Sequence, residues 1–303
     1  MVDWFFDLLE KHKRKTVPLF IALIVLDAIL FSQIIAGAKS NSKTEFDFLN
    51  VGQGDSELVQ FASETSWART KLLIDGGPEN GRVLTALASL LPSSDRYIDL
   101  VAMTHAQADH IGGLIDVAKR YRIGTFIWTG RTNDISAFRE LMEILKKNNT
   151  KIITLMRGDV ITSGESVVRV LSPDKILLND KDINNSSLVL HVSSARTTAL
   201  FTGDIGRTAE LRLVRDGLIN IDILKVPHHG SRSSVIADFL NAVKPKIVVF
   251  GVGKNSYGHP SEEALINYAK LGASIFRTDK NGTLRFIVGE GRSVEVVKNF
   301  SAR

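Results

Sequence analysis

The sequence of 303 residues contains no cysteine. Disulfide scaffolds, thiolate metal sites and cysteine nucleophiles are therefore excluded, and any bound metal ion must be held by nitrogen or oxygen atoms. Proline is scarce, with 7 residues, and no stretch past residue 43 is rich enough in proline, glycine or serine to mark a domain boundary. Aromatic residues make up 7% of the chain and form no stripe with basic residues of the kind that binds single-stranded nucleic acid.

Neither sign of charge dominates, because 38 Lys and Arg residues stand against 33 Asp and Glu residues and leave a net charge of +5. Acids and bases cancel within residues 1–38, so the excess lies in the remainder. Such mild basicity permits a polyanionic substrate but does not demand one. The hydrophobic share of 44% and the charged share of 23% are ordinary for a globular protein and exclude wholesale disorder.

One long apolar run covers residues 17–38, and Asp27 alone interrupts it with a charge. About 20 apolar residues suffice to span a bilayer. A basic run between Lys11 and Lys15 precedes the segment, which predicts that the N-terminus lies inside and the rest outside. The predicted segments are a cytoplasmic tail over 1–15, a transmembrane anchor or signal segment over 16–38, a linker over 39–43 and a folded domain over 44–303.

An alternative for the same segment is a cleaved signal, because residues 36–38 have the small-x-small form of a signal-peptidase site. The apolar run is longer than the roughly 7–15 residues of a usual signal core, so we expect an uncleaved, single-pass anchor. A buried helix is the third alternative. Both the anchor and the cleaved signal place the domain outside the cytoplasmic membrane.

Beyond residue 43, segments typical of strands alternate with segments typical of helices. Strand-rich segments lie at both ends of this region, and mixed strand and helix segments lie between them. This order predicts an α/β fold in which two sheets pack together with helices on the outside.

Most histidines follow predicted strands. Of the 7 histidines, His12 lies in the tail and His191 lies inside an apolar strand segment. The remainder stand at or just after the C-terminal end of a strand, where α/β folds place their sites. These are His105, His110, His228, His229 and His259.

The densest cluster reads THAQADHIGG over residues 104–113. It follows a buried strand and opens a helix, and such a turn can bring His105, Asp109 and His110 into one cleft. Imidazole and carboxylate groups together suit Zn²⁺, Mn²⁺ or iron. The cluster therefore points to a metal site.

Later strand ends add further donors. Asp204 follows an apolar strand in a Gly-Asp turn, where a carboxylate is well placed to bridge two cations. His228 and His229 follow the next apolar strand, and His259 lies in a separate loop. Taken with the first cluster, these residues predict a metal centre built from several strand ends.

This order of motifs resembles the metallo-β-lactamase fold superfamily, whose leading motif is H-x-H-x-D-H. A longer series is similar to the extracytoplasmic hydrolase-like domain of the ComEC-type competence proteins of DNA internalisation and to their stand-alone relatives. The series comprises NVGQGDS (50–56), LIDGG (73–77), THAQADHIGG (104–113), NNSS (184–187), TGD (202–204), PHHGS (227–231), YGHP (257–260) and TDKNG (278–282). The resemblance implies a metallo-β-lactamase-like αββα sandwich, preceded here by the predicted transmembrane helix.

The chain departs from this family pattern at three points. Gln107 stands where relatives often carry aspartate, and an uncharged amide leaves the first metal position weak, empty or differently filled. Asn184 or Asn185 stands where better-known members carry a histidine. The multi-span channel that accompanies the domain in competence proteins is missing from the sequence, so DNA transport would require a separate channel protein.

The resemblance implies metal-assisted hydrolysis with one or two divalent cations, Zn²⁺ or Mn²⁺. Such a cation lowers the pKa of its bound water and so supplies a hydroxide nucleophile. The implied metal ligands are His105, Asp109, His110, Asp204 and His228. Asp109 would also take part in catalysis, and His229 or His259 would protonate the leaving oxygen. Spacing does not decide between His228 and His229 as the ligand, and we favour His228 because it is nearer the strand end.

Other polar positions are expected to line or support the cleft. Residues 184–187 form either a capping turn or a polar cleft wall, and the positions assigned to substrate binding are Asn184, Asn185, Ser186 and Ser231. Gln107, Asp75 and Asp55 are expected to support the metal ligands from behind.

The leading hypothesis is a membrane-anchored, extracytoplasmic phosphodiesterase or nuclease that acts on single-stranded DNA or another phosphoester. The alternative is a non-catalytic DNA-binding or scaffold module of a DNA-uptake system. Gln107 favours this alternative, and the retained histidines and carboxylates oppose it. A true β-lactamase is least favoured, because the regions around Asn184 and His228 depart from that pattern.

Overall fold

The computed structural model describes residues 17–32, 43–63, 69–289 and 294–298. The chain divides into two compact units: one comprises Met1–Ser42 and Ser63–Ala68, and the other comprises Lys43–Ala62 and Arg69–Arg303. The second unit contains every motif of the predicted site.

The described part of the first unit contains helix α1, which covers residues 17–32. Across the described ranges, no helix combines the length and the apolar character needed to cross a membrane. The predicted anchor over 16–38 is therefore corrected, and so is the localisation that depended on it. The tail over 1–15 and the cleavage site at 36–38 lie outside the described residues, as does most of the linker.

The strands of the second unit have the following bounds: β1 Thr44–Phe48, β2 Glu57–Gln60, β3 Lys71–Ile74, β4 Tyr97–Ala102, β5 Arg122–Trp128, β6 Lys151–Thr154, β7 Val160–Ser163, β8 Ser166–Ser172, β9 Val189–Ser194, β10 Thr197–Phe201, β11 Ile223–Lys225, β12 Ile247–Phe250, β13 Ser274–Arg277, β14 Leu284–Val288 and β15 Val294–Lys298. The first sheet has eight strands in the order β15-β14-β1-β2-β3-β4-β5-β6, and the second has seven in the order β13-β12-β11-β10-β9-β8-β7. Strands β3 to β6 run parallel, as do β10 to β13.

The helices of this unit are α2 Arg82–Leu90, α3 Ala108–Arg120, α4 Ser136–Lys147, α5 Lys175–Leu178, α6 Arg207–Arg215, α7 Ala237–Val243, α8 Glu262–Lys270 and α9 Thr278–Asn281. Apolar residues of α2, α3 and α4 pack on one face of the first sheet. Residues of α6, α7 and α8 pack on one face of the second sheet. The helices therefore form the two outer layers.

The inner faces of the two sheets share one apolar core. Phe201 of the second sheet lies between Phe46 and Phe48 of the first, with ring centroids 6.3 and 5.8 Å away. Phe48 also meets Phe286 edge to face at 5.6 Å. Burial of these aromatic side chains is a main source of stability. The predicted αββα sandwich is confirmed.

Several boundaries differ from those that the sequence suggests. Strand β7 and the four-residue helices α5 and α9 were not predicted, because such short segments show too few periods for a pattern to appear. The sequence predicts a helix from Gly112 onward, but α3 already begins at Ala108. Asp109 and His110 therefore lie in its first turn rather than in the preceding loop.

Glycines bring the start of α3 against the turn that follows β3. The N–H of Gly76 donates to the carbonyl of His110 at 2.7 Å, and the N–H of Gly113 donates to the carbonyl of Gly77 at 2.8 Å. A Cβ on either Gly76 or Gly113 would collide with the backbone of the opposite segment. This close approach places His110 beside Asp75.

Candidate metal centre

Asp75 orients His110. It follows β3, and its Oδ2 lies 2.7 Å from Nδ1 of His110. A carboxylate accepts hydrogen bonds, so Nδ1 of His110 is the donor and Nε2 is the ring nitrogen turned towards Asp204. Nε2 is buried and has no hydrogen-bond partner among the described residues. Burial would lower the pKa of His110, but Asp204 and Asp75 raise it well above its ordinary value, so a cation at Nε2 would bind in place of a proton.

The same carboxylate sets the tautomer of His105 through Thr104. The N–H and hydroxyl of Thr104 donate to Asp75 at 2.8 and 2.6 Å. The hydroxyl proton of Thr104 is already donated to Asp75, so the Thr104 oxygen acts as an acceptor. It accepts a hydrogen bond from Nδ1 of His105, 3.0 Å away. Burial, with a smaller effect of His110, lowers the pKa of His105 to about 3. His105 is thus a neutral imidazole whose Nε2 carries a lone pair.

The turn after β11, Pro227–Gly230, directs two neighbouring histidines differently. His228 and His229 both adopt left-handed backbone, with φ of 48° and 54°. This conformation costs about 1–2 kcal/mol per residue for L-amino acids. His229 is buried, and its Nδ1 donates to the carbonyl of Gly251 at 2.7 Å, which leaves Nε2 facing the cluster. His228 keeps 26% of its side chain exposed.

The side chains of the site converge on Oδ2 of Asp204. It lies 3.3 Å from Nε2 of His110 and 3.4 Å from Nε2 of His229. The same Nε2 of His229 lies 3.5 Å from Oδ2 of Asp109, whereas Nε2 of His228 lies 3.8 Å from Asp204. Ligands about 2.1 Å from a tetrahedral ion are about 3.4 Å apart. The measured separations therefore suit a metal shell.

The unpaired atoms of the site also fit a divalent cation. Within the described ranges, the buried side-chain atoms that have no hydrogen-bond partner include Nε2 of His105, His110 and His229 and Oδ1 of Asp204. An unsatisfied buried polar atom costs about 1–3 kcal/mol. Asp55, His110, Asp204 and His229 offer ligand atoms within 4.8 Å of one another. A cation would satisfy several of these atoms at once.

Asp55 lies behind the imidazoles. Its carboxylate faces Nδ1 of His229 at 3.3 Å and Nδ1 of His110 at 3.9 Å, and it forms an ion pair with Lys225. Nζ of Lys225 also lies 3.6 Å from Oδ1 of Asp204. Because Asp55 faces the Nδ1 atoms of both rings rather than their Nε2 atoms, it supports the cluster from behind.

Opposite charges keep the carboxylates ionised despite their burial. Burial alone would raise the pKa of Asp204, but His229 and His110 bring it well below its ordinary value. Burial would likewise raise the pKa of Asp55, but Lys225 and His229 bring it below the ordinary value. The carboxylates of the centre are therefore available as anionic ligands near neutral pH.

Gln107 and Asn184 bind each other. Nε2 of Gln107 donates to Oδ1 of Asn184 at 2.8 Å. These two amides are thus paired within the chain, beside the buried ring of His105.

The other positions assigned to substrate binding also have internal partners. Oδ1 of Asn185 accepts from the N–H of Gly206 at 3.2 Å, and the Ser186 hydroxyl donates to a backbone carbonyl at 2.6 Å. The Ser231 hydroxyl lies 2.9 Å from that of Ser233. Their role as substrate contacts stays a prediction.

A pocket of about 560 Å³ opens onto the cluster and is lined by Gln53, Gln107, Ala108, Asp109, Asp204, His228, His229, Lys254, Asn255, Ser256, Tyr257 and His259. His259 is half-buried, with its ring 5.6 Å from that of His228 and 6.2 Å from that of His229. Burial and the nearby His229 lower the pKa of His259. A neutral imidazole therefore lies in the pocket beside the carboxylate cluster.

Lys225 and Thr104 also take part in this site, although neither is among the predicted site residues. A lysine at the end of the buried strand β11 was the available signal, because an ammonium group is rarely buried unless it is paired. For Thr104 there was no such signal, because threonine is ordinary at a strand end.

Fold and site together define a two-sheet α/β sandwich with a buried histidine and carboxylate centre at the ends of its strands. Residues 70–236, more than half of the chain, match the family described as beta-lactamase superfamily domain. This chain belongs to that superfamily, as its motifs predict.

Named relatives extend the similarity. The chain is 27% identical to ComE operon protein 3 of Bacillus subtilis, over 92% of this chain and 37% of the relative. It is 29% identical to competence protein ComA of Neisseria gonorrhoeae, over 80% of this chain and 32% of the relative. The chain thus spans about a third of the length of these relatives. Among solved structures, Igni18, described as a novel metallo hydrolase from Ignicoccus hospitalis, shares the fold, with a TM-score of 0.53 at 15% identity over 81% of this chain and 100% of Igni18.

Proposed function

We propose that this protein is a metal-dependent phosphodiesterase that acts on nucleic acid or another phosphoester. The observation that carries the proposal is the convergence of two imidazole Nε2 atoms on one oxygen of Asp204, at 3.3 and 3.4 Å. A divalent cation held there, Zn²⁺ or Mn²⁺, supplies a Lewis acid for a phosphoryl oxygen and acidifies a water molecule.

The ligands we propose are Asp109, His110, Asp204 and His229. Spacing left the choice between His228 and His229 open and the nearer strand end favoured His228; we propose His229, because its Nε2 is buried and lies nearer Asp204. His228 lines the pocket instead, where it can contact substrate. Asp75 and Asp55 hold the ligand histidines from their Nδ1 sides.

His259 is the proposed general acid. It lines the same pocket as Asp109 and Asp204, and its Nδ1 has no hydrogen-bond partner in the part of the chain that the structure describes. Because burial and the nearby His229 lower its pKa, His259 is neutral near neutral pH and would first take up a proton, released by the attacking water, before it gives that proton to the leaving oxygen. His259 would thus move a proton, while the proposed ligands position the phosphoester.

The donor set favours one cation rather than two. Gln107 and Asn184 use an amide N–H and an amide oxygen on each other, and an amide N–H is not a metal ligand. His105 is then the remaining imidazole on that side. Lys225 already supplies a fixed positive charge next to Asp55 and Asp204, which lowers the attraction for a second cation.

Nucleic acid is the proposed substrate class because the matched relatives carry the names of competence proteins. A role in DNA uptake, in which the protein hydrolyses phosphodiester bonds of DNA, would agree with those names. We also propose a separate channel protein as partner, on the same ground.

The test uses the full chain, stripped of metal with a chelator, dialysed and supplied with Mn²⁺ or Zn²⁺. We expect hydrolysis of bis-p-nitrophenyl phosphate and of single-stranded DNA that depends on the added metal. Asp204→Asn should reduce both metal binding and turnover by at least about 100-fold, because it removes the shared anionic ligand. Asp134→Asn is the matched control, since the Asp134 side chain is 95% exposed.

A folded protein that shows no turnover on either substrate with any added metal would overturn this proposal. The second candidate, a non-catalytic DNA-binding module, would then be preferred. The pairing of Gln107 with Asn184 is the observation that favours it.

A further inference from the structure

Tyr257 stands at the mouth of the pocket with 74% of its surface exposed. Other large apolar side chains of this unit are also exposed, such as Val160, Ile176 and Ile219, but the described pocket lining does not include them. Tyr257 therefore has a solvent-exposed aromatic ring that lies beside the candidate metal centre.

The loop that carries Tyr257 is held rigidly by one side chain. Oδ1 of Asn255 accepts from the N–H groups of Tyr257 and His259 at 3.1 and 3.0 Å. Nδ2 of Asn255 donates to the carbonyls of Gly253 and His259 at 2.9 and 2.7 Å. Such a preorganised loop presents its exposed ring at little further cost in entropy on binding.

Two ring contacts lead from Tyr257 to the centre. Its ring lies 5.8 Å from that of His259, with an interplanar angle of 32°. The ring of His259 lies 6.2 Å from that of His229. A flat group stacked on Tyr257 would thus lie next to the proposed general acid and close to the proposed ligands.

Positive charge is available at the same mouth. Lys254 is exposed and lines the pocket with Tyr257, and the carboxylates of Asp109 and Asp204 lie deeper. An ammonium group attracts phosphate as a point charge. The loop therefore offers an aromatic face for a base and a cation for the phosphate beside it.

We propose that the loop over residues 253–260 is a nucleotide subsite, in which an unpaired base stacks on Tyr257 and its phosphate lies against Lys254. The combination of a stacking ring and a basic group is how proteins hold single strands. In a duplex both faces of an internal base are covered by its neighbours, so the subsite selects single-stranded nucleic acid. This subsite deepens the proposed function and rests on it for the chemistry of the substrate.

Binding is measured by fluorescence anisotropy on the full chain with chelator present, so that hydrolysis does not interfere. The probes are a labelled oligothymidylate and a matched oligomer whose sugars lack bases. Tyr257→Ala should weaken oligothymidylate binding about 5- to 100-fold, the range expected for loss of one base stack. Tyr257→Phe should bind like the wild type, because the ring is kept. Ile219→Ala, an exposed apolar change outside this pocket, is the control.

Removal of the bases should weaken binding to the wild type but have much less effect on Tyr257→Ala. Equal weakening in both proteins would overturn the stacking role. A plot of log affinity against log salt concentration has a negative slope. Lys254→Gln should make this slope less steep by about 0.7, the value for one phosphate contact on a single strand. An unchanged slope would overturn the role of Lys254.

Turnover with Mn²⁺ separates this inference from the proposed function. Tyr257→Ala should raise KM for the oligonucleotide with little change in kcat, because stacking is the same in the ground and transition states. Absent turnover combined with base-dependent binding through Tyr257 would refute the hydrolase and leave the subsite standing. If turnover depends on added metal but binding does not depend on the bases of the oligonucleotide, the subsite would be refuted and the hydrolase would stand.

Discussion

Lys225 and Asp204 meet inside the protein, with Nζ of Lys225 3.6 Å from Oδ1 of Asp204 and both side chains at most 2% exposed. The other oxygen of Asp204, Oδ2, faces the imidazoles of His110 and His229. One carboxylate therefore serves two cations: an ammonium group that belongs to the chain and a metal ion that we propose. The lysine stabilises the carboxylate pair of Asp55 and Asp204 independently of any metal.

Replacement of Lys225 by methionine should lower the free energy of unfolding by about 3–5 kcal/mol, because two buried carboxylates lose their charged partner. Denaturant unfolding in the presence of chelator measures this effect. Lys119→Met provides the comparison, since the Lys119 ion pair with Glu140 is exposed and its loss should leave stability unchanged. A Lys225→Met protein as stable as the wild type would refute the role assigned to this lysine.

His229 and His228 should differ in their effect on metal binding. His229→Ala removes a buried Nε2 at 3.4 Å from Asp204 and should weaken Mn²⁺ or Zn²⁺ binding by more than about 100-fold. His228→Ala should weaken it less than about 10-fold, because that ring lies at the pocket wall. Isothermal titration of the metal-free proteins provides both values. The reverse order of effects would restore His228 as the ligand.

Gln107→Asp should raise the metal content from one ion per chain towards two, because a charge replaces an amide and the pair with Asn184 is lost. Equilibrium dialysis followed by elemental analysis measures the ratio of metal to protein. Adding His105→Ala to this variant should return the ratio to that of the wild type. An unchanged ratio of metal to protein in Gln107→Asp would contradict the claim that Gln107 keeps the first metal position from binding a cation.

Glu210 should make stability depend on pH. This buried residue of α6 accepts hydrogen bonds from the N–H groups of Val235 and Ile236, the latter at 2.8 Å. Burial, which outweighs these bonds, raises the pKa of Glu210 from 4.5 to about 7. The folded state therefore binds the proton more tightly than the unfolded state does, so this group's contribution to stability is complete below about pH 4.5 and falls as pH rises through 7.

Measured against Glu210→Gln, the wild type should lose about 3 kcal/mol of relative stability between pH 4.5 and pH 8, the amount that corresponds to the raised pKa. Urea unfolding of both proteins across this range provides the comparison, and other titrating groups cancel in the difference. A difference that does not vary with pH would show that the pKa of Glu210 is ordinary.

Much of the architecture could be predicted from the sequence. Segments with apolar, β-branched residues identified most strands, and the αββα order followed from where they lie along the chain. His105, His110 and Asp204 could be assigned to one site because each follows the C-terminal end of a strand, where α/β folds place their functional residues. Hydropathy predicted a membrane anchor over 16–38, and this prediction is wrong for the described residues, where no helix is long and apolar enough to cross a membrane.

The sandwich, the superfamily motifs and the set of donors at the strand ends could all be predicted, since they depend on local pattern and on order along the chain. Which of these donors face one another depends on how distant segments pack. The left-handed backbone at His228 and His229 turns one ring inward and leaves the other at the pocket wall, which spacing along the chain cannot show. The partners of Lys225, Gln107 and Asn184 come from distant segments, and such contacts exist only once the two sheets have packed.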